Sequence, residues 1–267
     1  MATVWDPATY LHYDHERGRP FDELLARVRA DSPTTVVDLG CGPGARTASL
    51  LQRWPTARVV GVDSSATMIE AARTHAVDGR LSFVEADLRE WQPPRPVDVL
   101  VSNAVLQWVP EHLELVPRLV EMLAADGWLA FQVPANFAEP SHRLLQELRE
   151  SPRWRTRVGA GASRSWAVEE PTTYLAALAG CGLDVDAWAT TYLHVLNGDD
   201  AVLEWAKGTA LRPVMAMLDE DECEDFLIEY AARLRSAYPQ QVFGTVFPFH
   251  RIFVVAHRAN RADAGGQ

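Results

Sequence analysis

The residues with the clearest chemical potential form a glycine-rich loop, residues 40–44, which follows the apolar run Thr35–Leu39. Three glycines in this loop let the backbone turn tightly and approach a ligand closely. The N-terminus of a following helix adds N–H groups without intrahelical partners. Asp38 precedes the loop, and Asp63 ends the next apolar run, 23 residues after Gly40. A carboxylate there can accept both ribose hydroxyls, so the pattern indicates an adenine nucleoside ligand.

Two ligand classes compete for this loop. Gly40, Gly42 and Ala45 fit the G-x-G-x-x-A pattern of dinucleotide sites, which makes an NAD-binding oxidoreductase one hypothesis. Asp38 favours S-adenosylmethionine (SAM) instead, because a carboxylate would repel a pyrophosphate and attract an amino-acid ammonium. Asp87 follows the third apolar run, where a second acid can reach an adenine amine.

The same four motifs, in this order on four successive predicted strand ends, resemble those of the class I SAM-dependent methyltransferases. The fourth motif is the polar segment at residues 102–108 (SNAVLQW), which would lie at the sulfonium end of the cofactor. Cys41 is expected to be a small buried filler of the loop. The resemblance implies a cofactor site made of Asp38, Gly40, Cys41, Gly42, Gly44, Asp63, Ser64, Met68, Asp87, Leu88, Asn103, Ala104 and Trp108.

Alternating strand and helix patterns must position these motifs. Apolar β-rich runs predict strands at residues 35–39, 58–62, 81–84, 97–101, 128–133, 185–193 and 251–257. Helical spacing predicts helices from about Phe21 and at residues 45–53, 65–75, 113–123, 172–179 and 198–237. This alternation predicts an α/β fold with a mostly parallel sheet, and the resemblance implies a seven-stranded, Rossmann-like methyltransferase sheet.

The regular alternation lapses after Val133, which suggests additions to the core domain. We expect an N-terminal arm or lid at residues 1–30, a methyltransferase domain at 31–258 and a flexible tail at 259–267. Cap insertions are expected at about 134–170 and 198–240, over the edge of the sheet where ligands bind. An arginine-rich stretch at residues 153–164 is expected to form a solvated cap face, and the acidic run 219–222 to begin a helix.

Nearly the whole chain resembles the trans-aconitate methyltransferases, which esterify one carboxylate of a tricarboxylate. The motifs that carry this resemblance are WDPATYL at 5–11, ERGRP at 16–20, ADLREW at 86–91, NAVLQWVP at 103–110, TTYLH at 190–194, LRP at 211–213 and FPFHRIF at 247–253. Residues 150–170 resemble the family least, which leaves the substrate entrance open.

Methylation of such a carboxylate requires correct positioning of the acceptor rather than a general base. A carboxylate is already ionised and nucleophilic at pH 7, so no general base is required. The remaining carboxylates need cationic clamps, for which the planar guanidinium of arginine is suited. Tyr10, Trp108 and Arg251 are the candidate positioning residues. The candidate substrate-binding residues are Arg17, Arg19, Gln132, Tyr192, His194, Arg212 and Arg251.

Composition narrows the remaining function classes. The formal charge of −11 argues against nucleic acid as a partner, and no apolar run approaches the roughly 18 residues that span a bilayer. Three distant cysteines offer neither a disulfide framework nor a metal pattern, and no secretory signal is seen. We expect a cytoplasmic enzyme without metal that is a monomer or weak dimer. The alternatives are a methyltransferase of another small or carrier-linked carboxylic acid, and a non-catalytic SAM-binding module.

Overall fold

The structure is a computed structural model that describes residues 14–159 and 168–259. The strands are β1 Thr35–Leu39, β2 Arg58–Asp63, β3 Leu81–Glu85, β4 Val97–Asn103, β5 Leu123–Pro134, β6 Asp184–Leu196 and β7 Thr245–His257. The α-helices in these ranges are α1 Asp14–Ala26, α2 Ala45–Arg53, α3 Ala66–Ala72, α4 Val116–Glu121, α5 Pro140–Glu150, α6 Pro171–Gly180, α7 Ala201–Lys207, α8 Arg212–Met215 and α9 Glu220–Ala237.

The seven strands form one sheet in the order β3-β2-β1-β4-β5-β7-β6. The first four neighbouring pairs are parallel, and Asp38 lies opposite Gly61 on β2 and Val101 on β4. Central strands that are covered on both faces read as continuous apolar runs, and the side chains of Val36, Val37 and Leu39 are buried accordingly. The prediction of an α/β fold with a mostly parallel seven-stranded sheet is confirmed.

The C-terminal strand β7 runs against its neighbour β5. In the first half of β5, the Asp126 amide donates to the Arg258 carbonyl and the Arg258 amide donates to the Gly127 carbonyl, whereas Ala135 just after β5 donates to the carbonyl of His250. The residue numbers therefore rise along β5 while they fall along β7, which makes the pair antiparallel.

By contact density the chain divides into two compact units. Of the described residues, the larger unit comprises 14–134, 168–190 and 252–259, and the smaller comprises 135–159 and 191–251. The core of the larger unit is made by β1, β4 and β5. In the smaller unit, α9 packs on α5, and the Tyr230 hydroxyl donates to the Ser141 carbonyl at 2.7 Å. Phe226, Tyr230 and Leu234 of α9 are buried, and the Phe226 ring packs edge-on against Trp154.

Several predicted element bounds are wrong. The first helix begins at Asp14 rather than near Phe21, in a polar segment whose periodicity gave no apolar signal. The predicted helix 113–123 is a 3₁₀ turn, His112–Leu115, followed by α4, because Pro117 favours the first turn of a new helix. Helix 65–75 likewise divides into α3 and a 3₁₀ turn, and strands β3 to β7 are each longer than predicted.

The predicted helical stretch 198–237 is three helices, α7, α8 and α9. Gly208 ends α7, Pro213 lies in the first turn of α8, and Asp219 caps α9. The Asp219 carboxylate accepts from the Glu222 amide at 2.9 Å, and the Glu222 side chain accepts from the Asp219 amide at 3.3 Å. This capping box confirms that the acidic run 219–222 begins a helix.

The arginine-rich stretch is more than a solvated face. Arg153 forms ion pairs with Asp225 and Glu229 of α9, and Arg157 pairs with Glu222. Both arginine side chains stay about half exposed, so the pairs orient the segment rather than form a buried network. Arg164 lies outside the described residues.

Candidate functional site

The predicted cofactor motifs meet at one edge of the sheet. β1 lies between β2 and β4. The sheet continues through β2 to β3 on one side and through β4 to β5 on the other, so the strand order reverses at β1. Because these strands are parallel, their carboxyl ends lie together, and the loop 40–44, Asp63 and Asn103 all emerge there. Such switch points are where ligands bind in open α/β sheets.

The glycine loop has no room for a side chain at Gly40 but has open space at Gly42. Gly40 and Gly42 both have positive φ, 78° and 53°. A Cβ built on Gly40 would collide with the side chain of Val105, whereas one on Gly42 has no atom within 4 Å. Asp63 supports the open position, because one carboxylate oxygen accepts from the Gly42 amide and the other from Ser65, each at 2.9 Å. The loop is therefore held rigidly while its Gly42 face leaves room for a ligand.

Asp38 is a buried carboxylate with one oxygen that forms no hydrogen bond to the described residues. Its Oδ2 accepts from the Thr47 hydroxyl at 2.7 Å, and its Oδ1 has no hydrogen-bond partner among the described residues. Burial raises the pKa of Asp38 to about 6; the Thr47 hydrogen bond opposes this shift and the charge of Asp63 adds to it. A ligand ammonium at Oδ1 would satisfy this group, so the residues present fit the amino-acid end of SAM.

Sequence reasoning missed Thr47, and no local signal singled it out. The residue lies on α2, nine positions after Asp38, and is fully buried. Its hydroxyl sets which carboxylate oxygen of Asp38 is left available.

Asp87, the residue predicted to contact adenine, is hydrogen-bonded to Arg89. Asp87 accepts from the backbone amide and the Nε of Arg89, each at 2.9 Å, and this hydrogen bonding lowers the pKa of Asp87. The structure thus shows Asp87 in a turn with an ion pair, and its contact with adenine stays a prediction. Of the other predicted residues, Ser64 is exposed, Leu88 is half-buried and Met68 is buried below the first turn of α3, where Ser65 is the N-cap.

At the end of β4, the structure brings a predicted substrate residue to a predicted cofactor residue. The side-chain amide of Gln132 donates to Asn103 Oδ1 at 2.6 Å, and the Gln132 carbonyl accepts from the Ala104 amide. Ala104 has a φ of 57°, an unusual value for a residue with a side chain. Trp108 follows on a short 3₁₀ turn and is half-buried.

Cys41 behaves as the expected small filler of the loop. Its side chain is buried, and burial together with the charges of Asp38 and Asp63 raises the pKa of the thiol. The thiol therefore stays protonated at neutral pH, which argues against a role as nucleophile.

In the smaller unit, the predicted substrate residues of β6 lie in an aromatic cluster. Tyr192 and His194 are buried on one side of the strand, whereas Leu193 is exposed on the other. The His194 ring is nearly parallel to Tyr192, with ring centroids 6.1 Å apart, and stacks on Trp205 at 5.3 Å. Trp205 was not among the predicted site residues.

Arg251 belongs to this cluster. Its side chain is only 4% exposed, and its guanidinium carbon lies 4.7 Å from the centre of the Phe249 ring. Phe249 in turn lies 5.6 Å from Trp205 and 5.8 Å from His194. Because arginine keeps its charge when buried, the guanidinium of Arg251 is a cation held beside the Phe249 ring.

The remaining predicted arginines lie in less enclosed positions. Arg212 begins α8 and is half-buried. Arg19 lies on α1, with its side chain 65% exposed and its Nε 2.7 Å from Glu23. Arg17 also falls on α1, but its side chain is outside the described part, and Tyr10 lies outside the described residues altogether.

The described residues show neither a metal-binding cluster nor a membrane-spanning helix. They contain no group of three or more His, Cys, Asp or Glu side chains arranged to hold a metal ion. No helix of residues 14–159 or 168–259 combines the length and apolarity needed to cross a membrane.

Comparison with known proteins gives strong similarity over nearly the whole chain. A family described as "Methyltransferase domain" matches residues 36–127. The trans-aconitate 2-methyltransferase of Streptomyces coelicolor is 51% identical, over 96% of this chain and 88% of that protein. Its counterparts in Rhodococcus jostii and Mycolicibacterium gilvum are 50% and 48% identical, over 95% and 96% of this chain and 99% and 100% of theirs.

Solved structures share the fold at low sequence identity. The phosphoethanolamine N-methyltransferase 2 of Haemonchus contortus, in complex with S-adenosyl-L-methionine, is 15% identical with a TM-score of 0.54, over 90% of this chain and 52% of that one. An S-adenosylmethionine-dependent methyltransferase from Mesorhizobium loti is 18% identical with a TM-score of 0.51, over 89% and 97%. At these identities the likeness concerns the fold alone.

Proposed function

The chain belongs to the trans-aconitate 2-methyltransferase family, and we propose that it transfers a methyl group from SAM to a carboxylate of trans-aconitate. The products are a monomethyl ester and S-adenosylhomocysteine. Family membership confirms the resemblance inferred from the sequence. It also favours a methyl donor over the dinucleotide alternative for the loop 40–44.

One observation carries the choice of acceptor. Identities of 48–51% extend across both the methyltransferase core and the smaller unit, which contains the buried Arg251. A relationship confined to the core would support the methyl donor only. Full-length similarity supports the acceptor as well, because the predicted carboxylate clamps Arg212 and Arg251 lie outside the matched residues 36–127.

We assign the methyl donor to the larger unit. Asp38 would hold the ammonium through its unpartnered Oδ1, Asp63 would accept from ribose, and the open face of Gly42 would receive the ligand. When bound, SAM supplies an electrophilic methyl group on a sulfonium. The other predicted cofactor residues keep their proposed roles.

We assign the binding of the non-reacting carboxylates to arginine. Arg251 is the strongest candidate, because Phe249 fixes its guanidinium and its burial excludes water that would weaken an ion pair. In the transfer, a carboxylate oxygen forms a bond to the methyl carbon as the carbon–sulfur bond breaks, and that electron pair goes to sulfur. No proton moves, so the residues act by orientation and exclusion of water.

Other parts of the assignment also stand as proposals. We propose that residues 1–30 close over the ligands as a lid, and that the segments at about 134–170 and 198–240 form the cap. A cytoplasmic location, a monomer or weak dimer, and the absence of a metal stay predictions.

A methyl-transfer assay tests the proposed function. Purified protein is incubated with SAM labelled in its methyl group and with trans-aconitate, cis-aconitate, citrate, isocitrate or malonate separately. We expect base-labile label and a methyl-ester mass with trans-aconitate, well above the other acids. SAM binding measured in parallel by calorimetry separates a failed acceptor from a failed cofactor assignment.

The alternatives give different results in this assay. Transfer to another acid at a higher rate would replace trans-aconitate as the acceptor. SAM binding without transfer to any acid would contradict the proposal and favour a SAM-binding module or a carrier-linked acceptor. Thermal protection by NAD but not by S-adenosylhomocysteine would overturn the cofactor assignment.

A further inference from the structure

We infer that Asn136 is a positioning residue for Arg251, which it places through the backbone of β7. The inference rests on the proposed function, in which Arg251 binds a substrate carboxylate. Asn136 begins a 3₁₀ turn just after β5, and no feature of the sequence marked it as functional.

The side-chain amide of Asn136 forms hydrogen bonds with two backbone groups of β7. Its Oδ1 accepts from the backbone amide of His250 at 2.5 Å, and its Nδ2 donates to the carbonyl of Pro248 at 3.4 Å. The residue is only 1% exposed, so these hydrogen bonds do not compete with solvent. An asparagine amide has both a donor and an acceptor, and here each binds a backbone group on either side of Phe249.

This arrangement restrains the residue beneath the Arg251 guanidinium. The peptide groups at 248 and 250 set where the backbone of Phe249 lies, and the Phe249 ring lies 4.7 Å from the Arg251 guanidinium carbon. The neighbouring Ala135 amide donates to the His250 carbonyl at 2.9 Å, which adds a third restraint at the same point. A displacement of about an ångström at a clamp can cost orders of magnitude in rate, so a small shift in this strand would be measurable.

The opposite side of the strand is held as well. The His250 side chain lies 3.0 Å from the Thr191 hydroxyl, measured from Nδ1. Residue 250 is therefore fixed through its backbone by the turn after β5 and through its side chain by β6. Replacing Asn136 removes its two hydrogen bonds to the backbone of β7 and leaves the Ala135 hydrogen bond and the His250 side-chain restraint in place.

The test compares Asn136→Leu with a matched control. Leucine has a similar volume but forms neither hydrogen bond, and Ser141→Ala removes another buried polar side chain of the same unit, whose hydroxyl lies 3.4 Å from His142 Nδ1. We expect Asn136→Leu to raise KM for trans-aconitate about tenfold while KM for SAM stays within about twofold. Ser141→Ala should leave both constants close to wild type. Thermal unfolding and circular dichroism establish that each variant is folded.

A double-mutant cycle separates positioning from general stability. If Asn136 acts through Arg251, adding Asn136→Leu to Arg251→Ala should change trans-aconitate use little further. Equal losses for SAM and trans-aconitate, or fully additive losses in the cycle, would overturn the inference. So would an unchanged KM for trans-aconitate in folded Asn136→Leu. Wild-type protein that methylates no acid would instead contradict the proposed function, which keeps the two failures distinct.

Discussion

At the scale of single residues, two charged side chains with proposed roles in binding are buried. Asp38 is 3% exposed and Arg251 is 4% exposed, and each lies in its own unit. A buried charge costs free energy unless a partner compensates for it. The pKa of Asp38 is raised, so part of its population can become neutral and avoid this cost. Arginine stays charged and cannot be neutralised in this way.

The affinity for SAM should fall in mildly acidic solution. Asp38 has a pKa of about 6 without ligand, and only its ionised form attracts an ammonium. Lowering the pH from 7 to 5 should therefore weaken SAM binding about tenfold, as measured by calorimetry. In Asp38→Asn, binding should be weak at both pH values and nearly independent of pH. A wild-type affinity that stays constant over this range would contradict the role of Asp38.

The same substitution should also reveal the cost of the buried charge. The folded-state pKa of Asp38 lies above the usual value of 3.8, so the stability contributed by its protonated form is lost as the pH rises to about 6. Asp38→Asn should then gain up to about 3 kcal/mol in the free energy of unfolding at pH 7.5. Denaturant titration measures this gain, with Asp98→Asn as control. Asp98 binds the Thr34 and Thr35 amides, so its replacement should destabilise.

Arg251 should affect the acceptor much more than the cofactor. Arg251→Lys keeps the charge but loses the planar fork, and we expect KM for trans-aconitate to rise about tenfold or more while Kd for SAM is unchanged. Arg251→Ala should be worse for the same reason. Steady-state kinetics and SAM calorimetry measure the two effects separately. Equal losses of both in a folded variant would rule out the clamp.

At the scale of elements, the loop between β1 and α2 combines rigidity with an open face. Its closed side faces Val105, which follows β4, and its open side is Gly42. The Asp63 carboxylate at the end of β2 accepts a hydrogen bond from the Gly42 amide of the loop. Elements that are distant in sequence thus preform the site before a ligand arrives.

Alanine substitutions in this loop should separate ligand space from folding. At Gly42 a Cβ meets open space, so Gly42→Ala should cost only about 1 kcal/mol for its positive φ but weaken SAM binding strongly. At Gly40 the Cβ would lie 2.2 Å from a Val105 methyl carbon, so Gly40→Ala should destabilise the fold itself. Thermal melts and calorimetry measure the difference. Normal SAM affinity in Gly42→Ala would place the ligand elsewhere.

At the scale of the whole molecule, the chain has two compact units with different proposed tasks. The predicted cofactor residues all fall in the larger unit, which also contains the predicted substrate residues Gln132, Arg17 and Arg19, whereas Tyr192, His194, Arg212 and Arg251 fall in the smaller. In the proposed assignment the larger unit binds the methyl donor, and the smaller unit supplies most of the residues that select the acceptor.

Hydrogen exchange should show this division. S-adenosylhomocysteine is expected to protect backbone amides around residues 38–47 and 61–68, because binding stabilises the folded form of the segments it contacts. Addition of trans-aconitate should extend protection to residues 192–212 and 245–251. Mass spectrometry of peptides measures both patterns, with citrate as the control acid. Protection of the second set by S-adenosylhomocysteine alone would argue against separate sites.

The sequence by itself determined the sheet, its carboxyl edge and the family. These features depend on local patterns, since strand, loop and helix follow one another within short segments and residues such as Gly42, Asp38 and Asp63 mark the strand ends. It also predicted Arg251 as a clamp through a short motif. Helix bounds were less predictable where Pro117, Gly208 and Pro213 divided stretches that had an apolar period.

Only the tertiary structure decided which groups hold these residues in place. Thr47 beneath Asp38, Trp205 beside His194, and Asn136 across from His250 are contacts between segments that no spacing connects. Asn136 and His250 are separated by 114 positions, and the energy of their hydrogen bond depends on distances that only the packed chain sets. The exposure of Arg19 was also not visible in the sequence, because identical arginine side chains become clamps or surface ions according to their burial.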